Sequence, residues 1–371
     1  WSSFTVPKPR EEIRGGSVFS AKAAKTSIEE MAKMPHPLGS KENKEVQRYL
    51  IEKIRSMGLD CEIQKGYSTC DIYNTEGEIE NLVTRVKGSG DGKDVILMMA
   101  HYDSTRWGPG AADDSMGVAV LLETMKHLQA YAFEKKRPLL KNDVLFLLTD
   151  GEEEGMLGAS YFTDHSKADV LEPIKLVLNF EARGNKGFTT MFETGENNGW
   201  LMDEYRKAKL GAPAYSFTYE IYKTMPNNTD FSLFKRIQKN GLNFATLDGF
   251  ESYHNKHDNS KELDMGTLQQ MGDNAFKALS HFGDKDLDPA VPGEKAQNSV
   301  FFSLAKGIMV SYPFKLAMPL AIGALMVFII LGVELRKKKL LHWKGCLFSA
   351  LCSAGLFIVL TGLAVFLPKI Y

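Results

Sequence analysis

HYDSTRWGPGAADDSMG, residues 101–117, directly follows the apolar run Val95–Ala100. A continuous apolar run of this kind is typical of a parallel strand that is buried on both faces. The stretch begins with His101, turns through Gly-Pro-Gly and reaches the acidic pair that starts at Asp113. Residues 115–130 then carry apolar side chains at helical spacing. Strand, acidic loop and helix together predict one unit of an α/β domain, around which the other candidate elements are arranged.

Three later stretches also bring polar side chains next to apolar runs. Asp150-Gly-Glu-Glu-Glu-Gly155 follows Val144–Thr149, Asn179-Phe-Glu181 lies at the end of Leu176–Phe180, and Tyr253-His-Asn-Lys-His-Asp258 comes after Leu242–Leu247. Strands that alternate with helices predict a mostly parallel sheet with helices on both faces. Ligands of such sheets bind beyond the carboxyl ends of the strands. Histidines and carboxylates are therefore predicted to meet at one edge, where they suit Zn²⁺ or another divalent metal.

The residue types suggest a division of tasks within this predicted site but leave it open. Asp103, two residues after His101, could accept a hydrogen bond from the imidazole nitrogen that does not bind metal. Of the adjacent Glu152 and Glu153, one can bind metal while the other acts as a general base toward water. The alternative is that these carboxylates are ordinary surface residues, because most Asp and Glu side chains are exposed.

The motifs in these stretches resemble the co-catalytic zinc aminopeptidase family, which also contains glutamate carboxypeptidase, the transferrin receptor and glutaminyl cyclase. That family has a His-x-Asp, a Pro-Gly-Ala before an Asp, a Glu-Glu, a carboxylate after a strand and a late His. The resemblance covers about residues 40–282. Within the family, the chain is most similar to the endoplasmic-reticulum and vacuolar membrane metallopeptidases. Four segments carry that similarity: His36-Pro-Leu-Gly-Ser40, Asn179-Phe-Glu-Ala-Arg-Gly184, Pro226-Asn-Asn-Thr-Asp-Phe231 and Tyr253-His254.

The resemblance implies a three-layer α/β/α zinc-peptidase domain that holds two zinc ions. It implies five metal ligands: Asp113 as the bridge, His101 and Glu181 for one ion, and Glu153 and His254 for the other. It further implies that Glu152 is the general base and acid and that Asp103 supports His101. Glu181 departs from many soluble aminopeptidases, which have Asp there, but resembles the membrane relatives. Arg183, Tyr222, Asp230 and Tyr253 lie near these motifs and are candidates for the substrate pocket.

The implied activity is a zinc-dependent exopeptidase, most similar to an aminopeptidase, that hydrolyses peptides. One alternative is a glutaminyl-cyclase-like enzyme with a single zinc. Another is a catalytically inactive relative that acts as a binding module, and a third is a structural protein outside the family. The presence of all five ligand types favours the two-zinc enzyme. For the late histidine, the resemblance selects His254 over His257, since Asp258 follows His254 at the family's spacing.

Composition separates the peptidase domain from a membrane segment. The 371 residues carry a net charge of −1, which gives no indication of nucleic-acid binding. Residues 1–283 form the predicted peptidase domain, 284–312 a linker and juxtamembrane segment, and 313–371 a transmembrane segment. The apolar runs Leu316–Val333 and Gly345–Leu367 are each long enough to cross a bilayer as a helix, for which ~20 residues are needed. The sequence therefore predicts an integral, multi-pass membrane protein.

The charges between the two apolar runs predict its orientation. Arg336, Lys337, Lys338, Lys339 and Lys344 lie there, and basic residues in a short loop mark the cytoplasmic side. The peptidase domain is then expected on the other side, in the periplasm, lumen or vacuole. The apolar segment Val300–Val310 is expected at the membrane surface.

The ends and the cysteines of the chain give two further expectations. The chain begins with Trp1 rather than Met, so we expect an upstream segment. The cysteines show no zinc-type spacing, and a disulfide between Cys61 and Cys70 stays an open alternative to two thiols.

Overall fold

The computed structural model describes residues 5–11, 19–290, 297–340 and 342–366. Seven strands form its main sheet: β1 Glu62–Cys70, β2 Thr75–Val86, β3 Val95–His101, β4 Asp143–Thr149, β5 Ile174–Ala182, β6 Lys186–Thr194 and β7 Gly241–Asp248. Their order is β1-β2-β4-β3-β5-β7-β6. The central strands β4, β3, β5 and β7 pair in parallel, whereas β1 with β2, β2 with β4 and β6 with β7 pair antiparallel. The predicted mostly parallel central sheet is confirmed.

The described part of the chain contains eleven α-helices. They are α1 Ala21–Met31, α2 Lys41–Ser56, α3 Ser115–Lys135, α4 Leu157–His165, α5 Ala168–Leu171, α6 Gly199–Ala208, α7 Ser216–Tyr222, α8 Phe231–Arg236, α9 Met265–Phe282, α10 Ala317–Lys337 and α11 Trp343–Phe366. Helix α2 begins directly after Ser40, whose hydroxyl accepts a hydrogen bond from the Asn43 N–H at 3.0 Å. This is the side-chain cap that a helix N-terminus needs for one of its free N–H groups.

Alternating side chains of the central strands pack into two separate apolar cores. In β3, Ile96 and Met98 join the core that contains residues of α1, α3 and α9, while Leu97 and Met99 join the core that contains residues of α4 and α8. Successive residues of a strand point to opposite faces, so helices cover both faces of the sheet. The continuous apolar run of β3 is thereby explained.

Two parts of the main sheet region differ from the sequence prediction. Strands β1 and β2 form a long antiparallel hairpin instead of parallel strands, and the exposed side chains of β1 hide the pattern of a buried strand. Strand β6 and helix α7 were not predicted. Strand β6 buries Thr190 and Glu193, and α7 is rich in aromatic and β-branched residues, which are weaker helix formers.

A second, two-stranded sheet occupies the segment expected at the membrane surface. Strands β8 Ser299–Ala305 and β9 Ile308–Pro313 pair antiparallel. The β8 N–H of Ser303 donates to the carbonyl of Ala214, and the N–H of Phe301 donates to the Ser216 hydroxyl at 2.7 Å. The hairpin thus belongs with the peptidase unit, Trp1–Pro313, one of two units into which the chain divides. Contact with a membrane surface stays a prediction for it.

The second unit, Phe314–Tyr371, contains the predicted membrane helices. Among the described residues, the segment Phe314–Lys337 is the one helix long and apolar enough to cross a bilayer, with a mean hydropathy of 2.6. Helix α11 occupies the second predicted span. Its side chains are described over the apolar stretch Lys344–Leu356, which is shorter than a membrane span. One spanning helix is therefore supported, and the second stays a prediction. Residues 367–371, at the end of the second run, lie outside the described residues.

The two cysteines of the peptidase unit are free. Cys61 and Cys70 are both buried thiols, which decides the alternative that their sequence left open.

Candidate active site

The predicted site residues come together at the carboxyl edge of the four parallel strands. His101 is the last residue of β3, and Glu181 is the next-to-last residue of β5. Glu152 and Glu153 follow the end of β4 in a tight turn. After β7, Gly249 adopts a left-handed φ of 78° and a 3-10 turn leads the chain to His254. Parallel strands all end on the same side, so these side chains converge.

Asp113 lies between two imidazoles. Its Oδ1 is 3.2 Å from Nε2 of His101, and its Oδ2 is 3.1 Å from Nε2 of His254. The carboxylate is almost wholly buried. One carboxylate with a different imidazole on each oxygen has the geometry that a bridging ligand between two metal ions requires.

A glutamate stands on each side of this central carboxylate. Oε2 of Glu153 is 3.0 Å from Nε2 of His254, and Oε2 of Glu181 is 3.8 Å from Nε2 of His101. The structure thus brings the five residues together, with Glu153 next to His254 and Glu181 next to His101. It also adds Asp114, because ligand atoms of His101, Asp114 and Glu181 lie within 4.8 Å of one another, as do those of His101, Asp113 and Glu153. Sequence reasoning missed Asp114, whose Oδ1 also accepts the Gly117 N–H at the start of α3.

Asp103 links His101 to the two glutamates. Its carboxylate accepts the N–H of Glu152 at 3.0 Å and that of Glu153 at 3.2 Å. Its Oδ1 is 3.4 Å from Nδ1 of His101, and its own carbonyl oxygen is closer to that nitrogen, at 3.0 Å. Asp103 therefore holds the glutamate turn against the end of β3 with its side chain and orients the imidazole from its backbone as well.

Asp258 supports the loop that carries Asp113. Its carboxylate accepts the N–H of Ala112 at 2.7 Å and that of Asp113 at 3.1 Å. The spacing of Asp258 after His254 is a sequence signal, but only the fold shows that the acid acts on a loop 145 residues away in sequence. The neighbouring His257 is directed elsewhere, since its Nδ1 is 3.1 Å from Glu262 and its side chain is 54% exposed.

Burial and like charge strongly perturb the acidic groups. Burial raises the pKa of Glu181 to about 8 and that of Glu153 to about 7. Enclosure by its neighbours, together with nearby carboxylates, raises the pKa of Glu152 well above its usual range. Burial would raise the pKa of Asp113 too, but hydrogen bonds with the two histidines hold it at about 2. Burial would lower the pKa of His254, but its hydrogen bonds to Asp113 and Glu153 raise it to about 10.

The donor set fits divalent metal ions. Buried carboxylate oxygens normally have hydrogen-bond partners, yet Oε1 of Glu153 and Oδ2 of Asp114 have none among the described residues. Several carboxylates crowded around imidazole nitrogens cost free energy through mutual repulsion and desolvation unless cations offset them. Imidazole and carboxylate without a thiolate is the ligand chemistry of catalytic zinc. The residues present thus fit the metal that the resemblance implies.

A cavity of about 300 Å³ opens beside these carboxylates. Asp113, Glu152 and Glu181 line one part of it, and the other part is mainly apolar, formed by Phe192, Ile221, Tyr222, Met225, Ala245, Leu247 and Tyr253. Arg183 lines it too, 5.4 Å from the ring of Tyr253. Of the four candidate pocket residues, Asp230 is not among the lining side chains. Asp230 is buried and accepts a hydrogen bond from the hydroxyl group of Thr149.

The apolar pocket residues from β6 and α7 were missed by sequence reasoning. Phe192 is on β6, Ile221 is on α7, and Met225 follows α7. None of these lies in a motif, so only the fold of the chain brings them beside Glu152.

A known protein family matches the part of the chain that carries the candidate active site. Residues 81–279, more than half of the chain, match the family model for Peptidase family M28. The chain belongs to peptidase family M28. The family resemblance inferred from its motifs is confirmed.

The M28 chain is also similar to longer curated proteins. It is 26% identical over 343 residues to endoplasmic reticulum metallopeptidase 1 of Mus musculus, covering 86% of this chain and 37% of that protein. It is 29% identical over 260 residues to the vacuolar membrane protease of Candida albicans (strain SC5314 / ATCC MYA-2876), covering 67% of this chain and 29% of that protein. The chain therefore spans only about a third of the length of these relatives.

Solved structures show the same fold at low identity. The aminopeptidase from Aneurinibacillus sp. strain AM-1 is 14% identical with a TM-score of 0.58, covering 74% of this chain and 97% of that chain. Glutaminyl cyclase from Porphyromonas gingivalis is 18% identical with a TM-score of 0.55, covering 71% of this chain and 98% of that chain. Both matches concern the fold alone.

The two late histidines give a direct test of the ligand assignment. His254→Ala should lose one metal and abolish hydrolysis, because it removes the group that Asp113 and Glu153 both face. His257→Ala should keep both metals and change the rate by no more than about tenfold, roughly 1.4 kcal/mol. Metal analysis and peptide hydrolysis on both variants make the measurement. Full activity in His254→Ala would overturn the assignment.

Proposed function

We propose that this M28 peptidase is a two-zinc aminopeptidase. The observation that carries the proposal is the position of Asp113, with one oxygen toward His101 and the other toward His254. Glu181 would complete the site of His101, and Glu153 would complete that of His254. The two sites share one carboxylate and have separate terminal ligands, which supports two metals rather than one.

The side chains around the metals have separable roles in this proposal. When bound, zinc supplies Lewis-acid chemistry, which activates water and polarises the scissile carbonyl. Glu152 takes the proton of the attacking water and delivers it to the leaving amine. Asp103 holds the backbone of Glu152 with a 3.0 Å hydrogen bond, which aims the base at the site.

The cavity supports cleavage at an apolar amino-terminal residue. A free α-amino group is cationic and is attracted by the carboxylates of Glu152 and Glu181 at one end of the cavity. A bulky apolar side chain can then bury its surface against Phe192, Ile221 and Leu247, which stabilises binding by about 25 cal/mol per Å² of buried apolar area.

Arg183 favours a second candidate, cleavage from the carboxyl end. A guanidinium can hold a terminal carboxylate in a bidentate pair, and Arg183 lines the same cavity. A glutaminyl-cyclase-like activity is the third candidate. The fold match to such an enzyme does not separate the two activities, whereas the two sets of ligands around Asp113 favour hydrolysis.

The setting that we propose is a membrane with the peptidase unit on its extracytoplasmic side. The names of the relatives place them in the endoplasmic reticulum or at the vacuolar membrane. This chain has an apolar helix of spanning length after its peptidase unit. The basic residues after that helix support a cytoplasmic loop and a multi-pass arrangement.

Metal content and substrate range test the proposed activity together. The purified chain should hold close to two zinc ions and lose hydrolysis when they are removed by a chelator. Amino-acid anilides with large apolar side chains should be cleaved faster than those with acidic side chains, because carboxylates border the cavity. Release of residues only from the carboxyl end would favour the Arg183 candidate. One zinc with cyclisation of amino-terminal glutamine would overturn the peptidase proposal.

The adjacent glutamates provide a matched pair of variants. Glu152→Gln should keep both zinc ions and lose turnover by about 10²–10⁴-fold, the range for a general base. Glu153→Gln should instead weaken zinc binding, because its Oε2 faces His254. Zinc stoichiometry and single-turnover rates distinguish the two variants. Exchange of the two phenotypes would mean that their roles are reversed.

Epitope tags test the orientation. Sealed membrane vesicles with their cytoplasmic face inward are treated with protease from the outside. A tag inserted after Lys338, in the basic loop, should be protected in this preparation. A tag after Asp91, an exposed residue of the peptidase unit, should be cleaved in the same preparation. The opposite pattern would contradict the extracytoplasmic location.

A further inference from the structure

Four buried polar side chains form a row that leads away from the metal edge across three strands. Glu181 and Asn179 are on β5, Asn243 is on β7 and Glu193 is on β6. Asn179 pairs with Asn243, and Asn243 pairs with Glu193, in the register of neighbouring strands. Residues two apart on a strand share a face, so Asn179 lies directly behind Glu181. The row is continuous from the candidate metal ligand to the edge strand.

Each member of the row is hydrogen-bonded to the next. Nδ2 of Asn179 donates to Oε1 of Glu181 and to Oδ1 of Asn243, both at 2.9 Å. Nδ2 of Asn243 donates to Oε2 of Glu193 and to the hydroxyl of Thr229, both at 2.8 Å. Oε1 of Glu193 forms an ion pair with Lys235 on α8. Asn243 therefore donates toward Glu193, whereas Asn179 donates both to Asn243 and to Glu181, so that a carboxylate accepts at each end of the row.

The carboxylate of Glu193 determines which way both amides face. An ionised carboxylate only accepts hydrogen bonds, so Asn243 must turn its NH₂ group toward Glu193 and its carbonyl oxygen toward Asn179. Asn179 must then offer its own NH₂ group to that oxygen and to Glu181. The ammonium of Lys235 holds Oε1 of Glu193, which leaves Oε2 to accept the hydrogen bond from Asn243.

At the metal edge, the two oxygens of Glu181 have different surroundings. Oε1 accepts the hydrogen bond from Asn179, and Oε2 faces His101 at 3.8 Å. We infer that Glu193 and Asn243 are positioning residues, which act through Asn179 to present Oε2 of Glu181 as a metal ligand. This inference rests on the proposed function, since it concerns a ligand of one proposed zinc ion.

A purely structural role for the row is the competing explanation, and zinc affinity separates the two. In Glu193→Gln, the ammonium of Lys235 attracts the new side-chain carbonyl and leaves the new NH₂ group facing Asn243. Both asparagines must then turn over, and Asn179 presents a carbonyl oxygen to Glu181. Partners of metal ligands typically contribute about 10–100-fold to metal affinity. A structural role predicts lower thermal stability with unchanged zinc affinity.

A matched control is available in Glu204. This carboxylate on α6 is also buried and paired with lysine, at 2.7 Å from Lys207 and 2.9 Å from Lys285, and it hydrogen-bonds to His281. None of its partners belongs to the candidate active site. Glu204→Gln therefore removes the same charge from the same kind of environment without touching the row.

The experiment uses the full chain in detergent, stripped of metal and titrated with zinc against a competing chelator. Glu193→Gln should weaken one of the two zinc-binding steps by about 10–100-fold and leave the other close to wild type. Glu204→Gln should leave both steps close to wild type. Wild-type affinities in Glu193→Gln, or an equal loss in Glu204→Gln, would overturn the inference.

A second variant keeps the test decisive if Glu193→Gln does not fold. Lys235→Met changes a partly exposed side chain and removes the ammonium that holds Oε1 of Glu193, so the carboxylate at this end of the row is no longer fixed in position. The same zinc step should weaken, and unchanged affinities would again overturn the inference. A wild-type protein that binds no zinc would overturn the proposed function together with the inference. A wild-type protein with two zinc ions and unaffected variants would overturn the inference alone.

Discussion

The burial of several carboxylates close together is the constraint on which this site depends. Asp113, Asp114, Glu153 and Glu181 each have an oxygen within 4.8 Å of a ring nitrogen of His101, and the solvent that would screen their charges is largely excluded. Burial, with a smaller contribution from the neighbouring carboxylate of Asp113, raises the pKa of Glu153 to about 7 and that of Glu181 to about 8. Such a cluster is stable in its ionised form only with nearby positive charge. Two divalent cations between these groups would supply it.

The sheet meets this constraint by ending its parallel strands together. No single segment could place two histidines around Asp113, because His101 and His254 are far apart in the sequence. Strands β3 and β7 bring them to the same edge, and the carboxylate of Asp258 ties the loop of Asp113 to the segment of His254. The backbone hydrogen bonds from Glu152 and Glu153 to Asp103 connect the ends of β4 and β3 in the same way.

The parts of the molecule that the sequence could predict are those with a local signal. His101 comes after the apolar run Val95–Ala100 and Glu181 after the mostly apolar run Leu176–Phe180, so their place at the sheet edge could be predicted from neighbouring residues. The strand β6 could not be predicted in this way, because it buries Glu193, whose partners Asn243 and Lys235 lie on other elements. The same holds for Asp258, whose partners lie in the loop before α3.

The identity of residue 181 connects the site to the interior row behind it. A glutamate has one more rotatable bond than the aspartate of many soluble aminopeptidases, so its carboxylate loses more conformational freedom when it is held in one position. The hydrogen bond from Asn179 restricts that freedom, but an asparagine can present either end of its amide. Asn243, Glu193 and Lys235 remove this ambiguity by ending the row in a fixed charge. The longer ligand Glu181 and the buried Glu193–Lys235 ion pair, two strands away, are thus two parts of one hydrogen-bonded arrangement.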